Sequence, residues 1–138
     1  MNANQQVELG KLFFEEGLPG FGHLQFFQLM QEEEGPFFLL QSVEDENIGF
    51  WLVDPFAFFR DYQFTLQPAW KSALRIEDET PVALFNIVTI RENNRVTVNL
   101  KAPIVANLVN RMAKQVILPD DKFPIRQPLF AKQAAAGE

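Results

Sequence analysis

The chain has no cysteine, one histidine, two serines and one tyrosine in 138 residues. Without cysteine there can be no disulfide, thiolate zinc site or cysteine nucleophile. His23 alone cannot build a multi-histidine metal centre, and its place beside Gly22 in a turn suits a structural or solvated ring. Ser42 and Ser72 lack the G-x-S-x-G setting that exposes a nucleophile. No G-x-x-x-x-G-K-[ST] or G-x-G-x-x-G pattern is present to cradle phosphate. No apolar run approaches the roughly 20 residues that span a bilayer, and no basic segment precedes a short apolar one. The expectation is a soluble, cytoplasmic protein with no membrane contact. Positive charge is also scarce: 12 Lys and Arg against 18 Asp and Glu leave a net charge of −6. Such a surface repels phosphate backbones, so direct nucleic-acid binding is not expected. It suits a basic protein partner, or serves solubility alone.

What the chain does have is apolar mass. Hydrophobic residues make up 47% and phenylalanine numbers 15. That composition excludes global disorder, and the length suits one domain with its own core. The phenylalanines are spread along the chain, as core fillers would be.

Read in order, residues 1–6 are polar and expected to fray. Val7–Phe14 reads as a strand, and Glu15–Phe21 as a turn in which Phe21 can plug the core. A second strand carries Phe26, Phe27 and Leu29. Gln31–Gly35 reads as a charged loop. Phe37–Ser42 is a short, mostly apolar run, the pattern of a strand covered on both faces. Glu44–Asn47 is an acidic turn before a strand over Ile48–Val53. Asp54-Pro55 reads as a helix N-cap followed by proline at the first helical position, with a short helix through Arg60. Tyr62–Leu66 alternates like a strand, and Pro68–Ile76 reads as a second short helix carrying Trp70 and Leu74 on one side. Glu77–Glu79 is a third acidic turn. Val82–Ile90 is a strand that Glu92–Arg95 turns back onto Val96.

Val96, Val98 and Leu100 alternate with Thr97, Asn99 and Lys101, the period of a strand with one buried face. Pro103 interrupts any ladder there. Residues 103–114 fit two patterns. One is a strand, a polar turn around Asn110–Lys114 and a closing strand Gln115–Leu118; the other is a helix beginning near Pro103. After Leu118, Pro119, Pro124 and Pro128 allow at most an edge strand over Phe123–Phe130. Frequent turns between short strands predict a mainly antiparallel all-β fold: a small single-domain β-barrel-like structure with one or two short helices. The domain is expected over 1–130, with a flexible tail over 131–138. Phe38, Leu40, Phe50, Leu52, Val98 and Leu100 are expected in one β core.

The remaining candidates for chemistry are carboxylates in turns. Glu44-Asp45-Glu46 lacks the alternating oxygen ligands and the glycine of an EF-hand loop. A small β-barrel hydrolase or lyase using turn carboxylates is the alternative function.

Several short motifs occur in a fixed order: Gly17-Leu18-Pro19-Gly20-Phe21, Phe38-Leu39-Leu40-Gln41-Ser42-Val43-Glu44-Asp45, Phe50-Trp51-Leu52-Val53-Asp54-Pro55, Thr97–Val105 and Lys114–Leu118. Together they resemble the bacterial flagellar assembly factor FliW family, over roughly residues 7–130. One departure is Ala113, where the family carries glycine in its last hairpin turn. The resemblance implies a small, mostly antiparallel β-barrel-like domain with no catalytic role, no cofactor and no metal. It implies two partners: CsrA, a small RNA-binding dimer that represses flagellin translation, and flagellin itself. Flagellin that accumulates would occupy the protein and leave CsrA free to repress; secretion of flagellin would reverse this. The chain alone is expected to be monomeric. Acidic turns facing a basic partner make Glu44, Asp45, Asp54 and Asp61 the candidate charged contacts. Phe58 and Tyr62 are the candidate apolar anchors, since aromatic residues dominate hot spots. The competing reading makes Phe58 a core residue and the carboxylates merely solvated.

Overall fold

A computed structural model describes residues 6–130. The expected frayed start and C-terminal tail concern residues outside the described ones, apart from Gln6, which opens the first strand. Nine strands are described: β1 Gln6–Phe14, β2 Phe26–Glu32, β3 Phe37–Ser42, β4 Gly49–Val53, β5 Val82–Ile90, β6 Val96–Val98, β7 Ile104–Asn107, β8 Met112–Gln115 and β9 Gln127–Pro128. One helix, α1, covers Pro68–Leu74, and 3-10 turns cover Pro55–Ala57 and Glu92–Asn94.

Seven strands close a barrel in the order β4-β3-β2-β1-β8-β7-β5, with β5 returning to β4. β6 and β9 extend the sheet beyond the second half of β5. Every pairing is antiparallel except β1 with β8, which run parallel. That seam is two residue pairs long, Phe13 with Met112 and Phe14 with Ala113. The fold is thus the expected mainly antiparallel β-barrel, with one helix.

Alternation along the strands builds two cores where one was expected. Leu12, Phe14, Phe27, Leu29, Leu40, Leu52, Phe85, Ile104 and Ala113 come from all seven barrel strands and fill the interior. Phe38 and Phe50 join them, only partly buried. The other face of β5 and β7 supplies Val82, Leu84, Val88 and Val105 to a second cluster. Val98 and Leu100 belong there, with Leu74, Val116, Leu118 and Leu129. Each strand residue points opposite to its neighbour, so a strand covered on both faces feeds both cores. β3 does this with Phe37 in one and Phe38 in the other.

Some local expectations are corrected. Tyr62–Leu66 joins no ladder; Tyr62, Phe64 and Leu66 lie on the second core while Gln63 and Thr65 face out. Its alternation is that of a segment laid over the barrel. The helix expected through Arg60 is only the 3-10 turn ending at Ala57. Its N-cap is real: the Asp54 carboxylate accepts the N–H of Phe56 at 3.0 Å. Phe58 and Phe59 then leave the helical path to pack on the second core. The Gln31–Gly35 loop is shorter than expected, since β2 runs to Glu32 and Glu33 and Glu34 make the turn with positive φ.

Within residues 103–114 the chain forms two strands joined by a turn, and no helix. The turn falls at 108–111, earlier than expected, and Met112–Gln115 is the closing strand. Asn107 sets this position. Its side-chain oxygen accepts the N–H groups of Val109 (2.8 Å) and Asn110 (3.3 Å). Asn110 in turn accepts the N–H of Met112 at 2.9 Å. Arg111 takes the left-handed conformation, φ 68°. Ala113 therefore lies in β8 with its side chain in the barrel, outside the turn.

Candidate functional site

The predicted contact residues fall into two groups at opposite ends of β4. Glu44 and Asp45 precede it, in the turn from β3; Asp54, Phe58, Asp61 and Tyr62 follow it.

The first group is tightly built. The Ser42 hydroxyl accepts the N–H groups of Glu44 and Asp45 at 3.1 and 3.0 Å, and Asp45 accepts the N–H of Asn47 at 3.0 Å. One Glu44 oxygen accepts two backbone N–H groups, Gln25 at 2.7 Å and Phe26 at 3.0 Å. These bonds, from Phe26 first and Gln25 next, hold its carboxyl below the usual range, with His23 adding a smaller attraction. Gln25 also donates its side-chain amide to the carbonyl of Glu15 at 2.8 Å. Two acidic turns, Glu15-Glu16 and Glu44–Glu46, are thereby joined at one end of the barrel. Glu16 is bonded to Lys114 at 2.7 Å, which lowers its carboxyl as well. Beside this rim, Phe13 and Phe26 stack at 5.0 Å, with Phe26 and Val43 exposed. These apolar neighbours are the part that sequence reasoning missed. Their signal is the alternation around Phe27, which turns Phe26 outward when Phe27 faces the core.

The second group is mixed. Asp61 is exposed, and Asp54 is half-buried in its cap. Phe58 is half-buried among Phe37, Phe59 and Phe130, with ring centroids at 5.9, 6.5 and 5.7 Å. It packs, partly buried, against the second core. Tyr62 is 5% exposed, so its ring offers a partner no free face. Its hydroxyl donates to the carbonyl of Leu100 at 2.7 Å and accepts from Asn86 at 3.2 Å. Burial raises its pKa. Tyr62 is a core residue here. Phe56, two residues after Asp54, and Phe130, against Phe58, are aromatics that this end presents to solvent.

A cleft of about 350 Å³ lies beside the acidic end, between the Gly17–Gly20 turn, α1 and β8. Among the described residues, no group of three or more His, Cys, Asp or Glu is placed to hold a metal, and no helix is long and apolar enough to cross a membrane.

The comparisons with known proteins agree with this architecture. The FliW protein family model matches residues 2–129. The chain is 43% identical over 120 residues to the flagellar assembly factor FliW of Caldicellulosiruptor bescii, covering 86% of this chain and 79% of that protein. It is 37% identical over 133 residues to the FliW of Anoxybacillus flavithermus, covering 96% and 92%. A crystal structure of the flagellar assembly factor FliW superposes with a TM-score of 0.82 at 39% identity, over 88% of this chain and 86% of that one. Matched along nearly its whole length by family, relatives and fold, the chain belongs to the FliW family of flagellar assembly factors.

Proposed function

We propose that this FliW-family chain acts in the cytoplasm as a protein-binding regulator. It binds CsrA and relieves repression of flagellin translation, and flagellin competes by drawing it away. The observation that carries this reading is the acidic end of the barrel. Glu15, Glu16, Glu44, Asp45 and Glu46 are gathered there by Gln25, beside the exposed Phe26 and Val43. Negative charge around an apolar patch is what a basic, RNA-binding partner would meet favourably.

Relief of repression has two physical routes. The chain can cover the RNA site, or bind beside it and project negative charge toward the phosphates. The second works only within about 8 Å, the Debye length at physiological salt. Competition by flagellin then follows from mass action, because the chain engaged by flagellin is withdrawn from CsrA.

The test is RNA retention by CsrA with rising amounts of this protein, followed by added flagellin. Retention should fall and then recover. Direct RNA binding by this protein, or no recovery with flagellin, would refute the proposal.

A further inference from the structure

The barrel seam leaves part of β1 without a strand beside it. β8 reaches β1 only at Phe13 and Phe14. Among the described residues, Gln6 to Leu12 have β2 on one side and no strand on the other. All of Gln6 to Lys11 are exposed. Two backbone carbonyls on this edge, those of Leu9 and Lys11, accept hydrogen bonds from the Arg111 guanidinium. The N–H of Phe13 faces the same way and donates to the carbonyl of Arg111 at 2.9 Å. A side chain therefore stands where a neighbouring strand's donors would be.

Three observations say what fits there. Acceptors spaced along an extended strand are matched by another extended backbone. The edge strand itself carries exposed aliphatic side chains, Val7 and Leu9. The charge is local and positive. Lys11 and Arg111 line this cleft of about 630 Å³ with Glu8 as its one carboxylate, in a chain of net charge −6. Another free edge of the sheet, β9, is two residues long and contains Pro128, a residue that blunts pairing.

We propose that the open edge of β1, Gln6–Lys11, receives an extended, carboxylate-bearing segment of another protein as an added strand. The N–H groups of that segment take the carbonyls of Leu9 and Lys11. The displaced guanidinium of Arg111, together with Lys11, then faces its carboxylates. The cleft adjoins the acidic end, since Phe13 and Phe26 line it too; what differs is the charge, which favours a basic partner at the acidic rim and disfavours one beside Lys11 and Arg111. The inference stands independently of the CsrA reading.

The test uses the full chain, labelled with ¹⁵N, titrated with two blocked heptapeptides, one alternating valine with glutamate and one alternating valine with lysine. The glutamate peptide should give saturable amide shifts confined to residues 6–13 and 109–112, and bind at least about tenfold tighter than the lysine peptide. Lys11→Glu, whose side chain is exposed, should reverse that preference; if it fails to fold, Lys11→Gln should at least narrow it. The proposal is overturned by absent or non-saturable shifts, since Lys11 and Arg111 would then only protect the edge. Shifts centred elsewhere or equal affinity for both peptides would also overturn it. So would concentration-dependent dimerisation of the chain through the same amides, which would make a second copy the occupant.

Discussion

The guanidinium of Arg111 occupies the space that a side chain at Gly10 would need. A Cβ at Gly10 would lie 3.0 Å from Nη2 of Arg111, and Gly10 sits at φ 90°, where L-residues are strained. Gly10 marks the irregularity between Glu8 and Lys11 in the β1–β2 ladder. The bulge and the arginine thus form one device beside the parallel seam. Gly10→Ala should lower stability by about 1–2 kcal/mol from backbone strain. Arg111→Ala should cost about 1 kcal/mol, since its bonds to carbonyls are solvent-exposed. Denaturant midpoints of the two single variants and the double variant should be non-additive, because the residues share one space.

The barrel interior depends on side chains that no water reaches. Leu52 is fully buried among residues from the other barrel strands. Leu52→Ala should cost about 2–5 kcal/mol. Phe50, only half-buried against Phe21 and Phe27, should cost about 3 kcal/mol on truncation, the low end for a phenylalanine. Urea unfolding curves for both variants check this, and an unchanged midpoint for Leu52→Ala would contradict the assignment of that side chain to the core.

Tyr62→Phe should destabilise by about 1–3 kcal/mol while leaving the fold intact. It removes the donor to the Leu100 carbonyl and the acceptor for the Asn86 amide, both in a buried setting. The proposed CsrA binding should be unchanged in the folded variant, because the ring is enclosed by this protein's own residues. Thermal unfolding and a binding titration on one sample separate the two effects.

Acid should loosen the acidic end first. Glu44 and Glu16 both have carboxyls held below their ordinary values in the folded state, Glu44 by two backbone N–H groups and Glu16 by Lys114. A lowered folded-state value means stability that is present above the ordinary carboxylate range. It is lost as the pH falls through that range and the lowered value beneath it. Glu44→Gln should flatten the pH dependence of stability in that acidic window and leave it unchanged near neutrality. A pH series of denaturation midpoints for the wild-type and variant proteins tests the sign.

If the chain binds CsrA as proposed, with the acidic end facing a basic partner, that binding should weaken as salt rises. Neutralising Glu44 and Asp45 should reduce affinity more than neutralising Asp54 and Asp61. The first pair lies within the acidic end; in the second, Asp54 is committed to its cap. Calorimetric titration of CsrA into the two double variants, at low and physiological salt, measures the difference. Unchanged affinity in both would remove all four as contacts.

Much of the strand layout was legible because its boundaries are chemical. β3 and β5 begin and end where expected, bounded by Gly35-Pro36, Glu44-Asp45, Thr80-Pro81 and Glu92-Asn93. What stayed hidden depends on distant partners. Tyr62–Leu66 alternates as a strand would, but whether an extended segment joins a ladder depends on which edge is nearby. The division into two cores follows from barrel closure, which no local pattern announces. The charge of the candidate residues is in the sequence and their arrangement is not: Glu44 and Asp54, both candidate charged contacts, sit at opposite ends of β4. Phe58 and Tyr62 had the composition of anchors, yet one is half-buried and the other enclosed by residues far along the chain.

The two-residue parallel seam also has a consequence in time. Its halves are the first described strand and the last strand of the barrel, about a hundred residues apart along the chain. While the protein is being synthesised, β1 to β5 can pair as they emerge, but the barrel stays an open sheet until β8 leaves the ribosome. Closure waits for the longest loop in the fold, and such distant contacts form late. Until then β1 exposes its whole free edge, including Phe13 and Phe14. A nascent chain in that state exposes the same kind of unpaired backbone as the finished protein's open edge, over a longer stretch, and is open to pairing with other chains until β8 closes it.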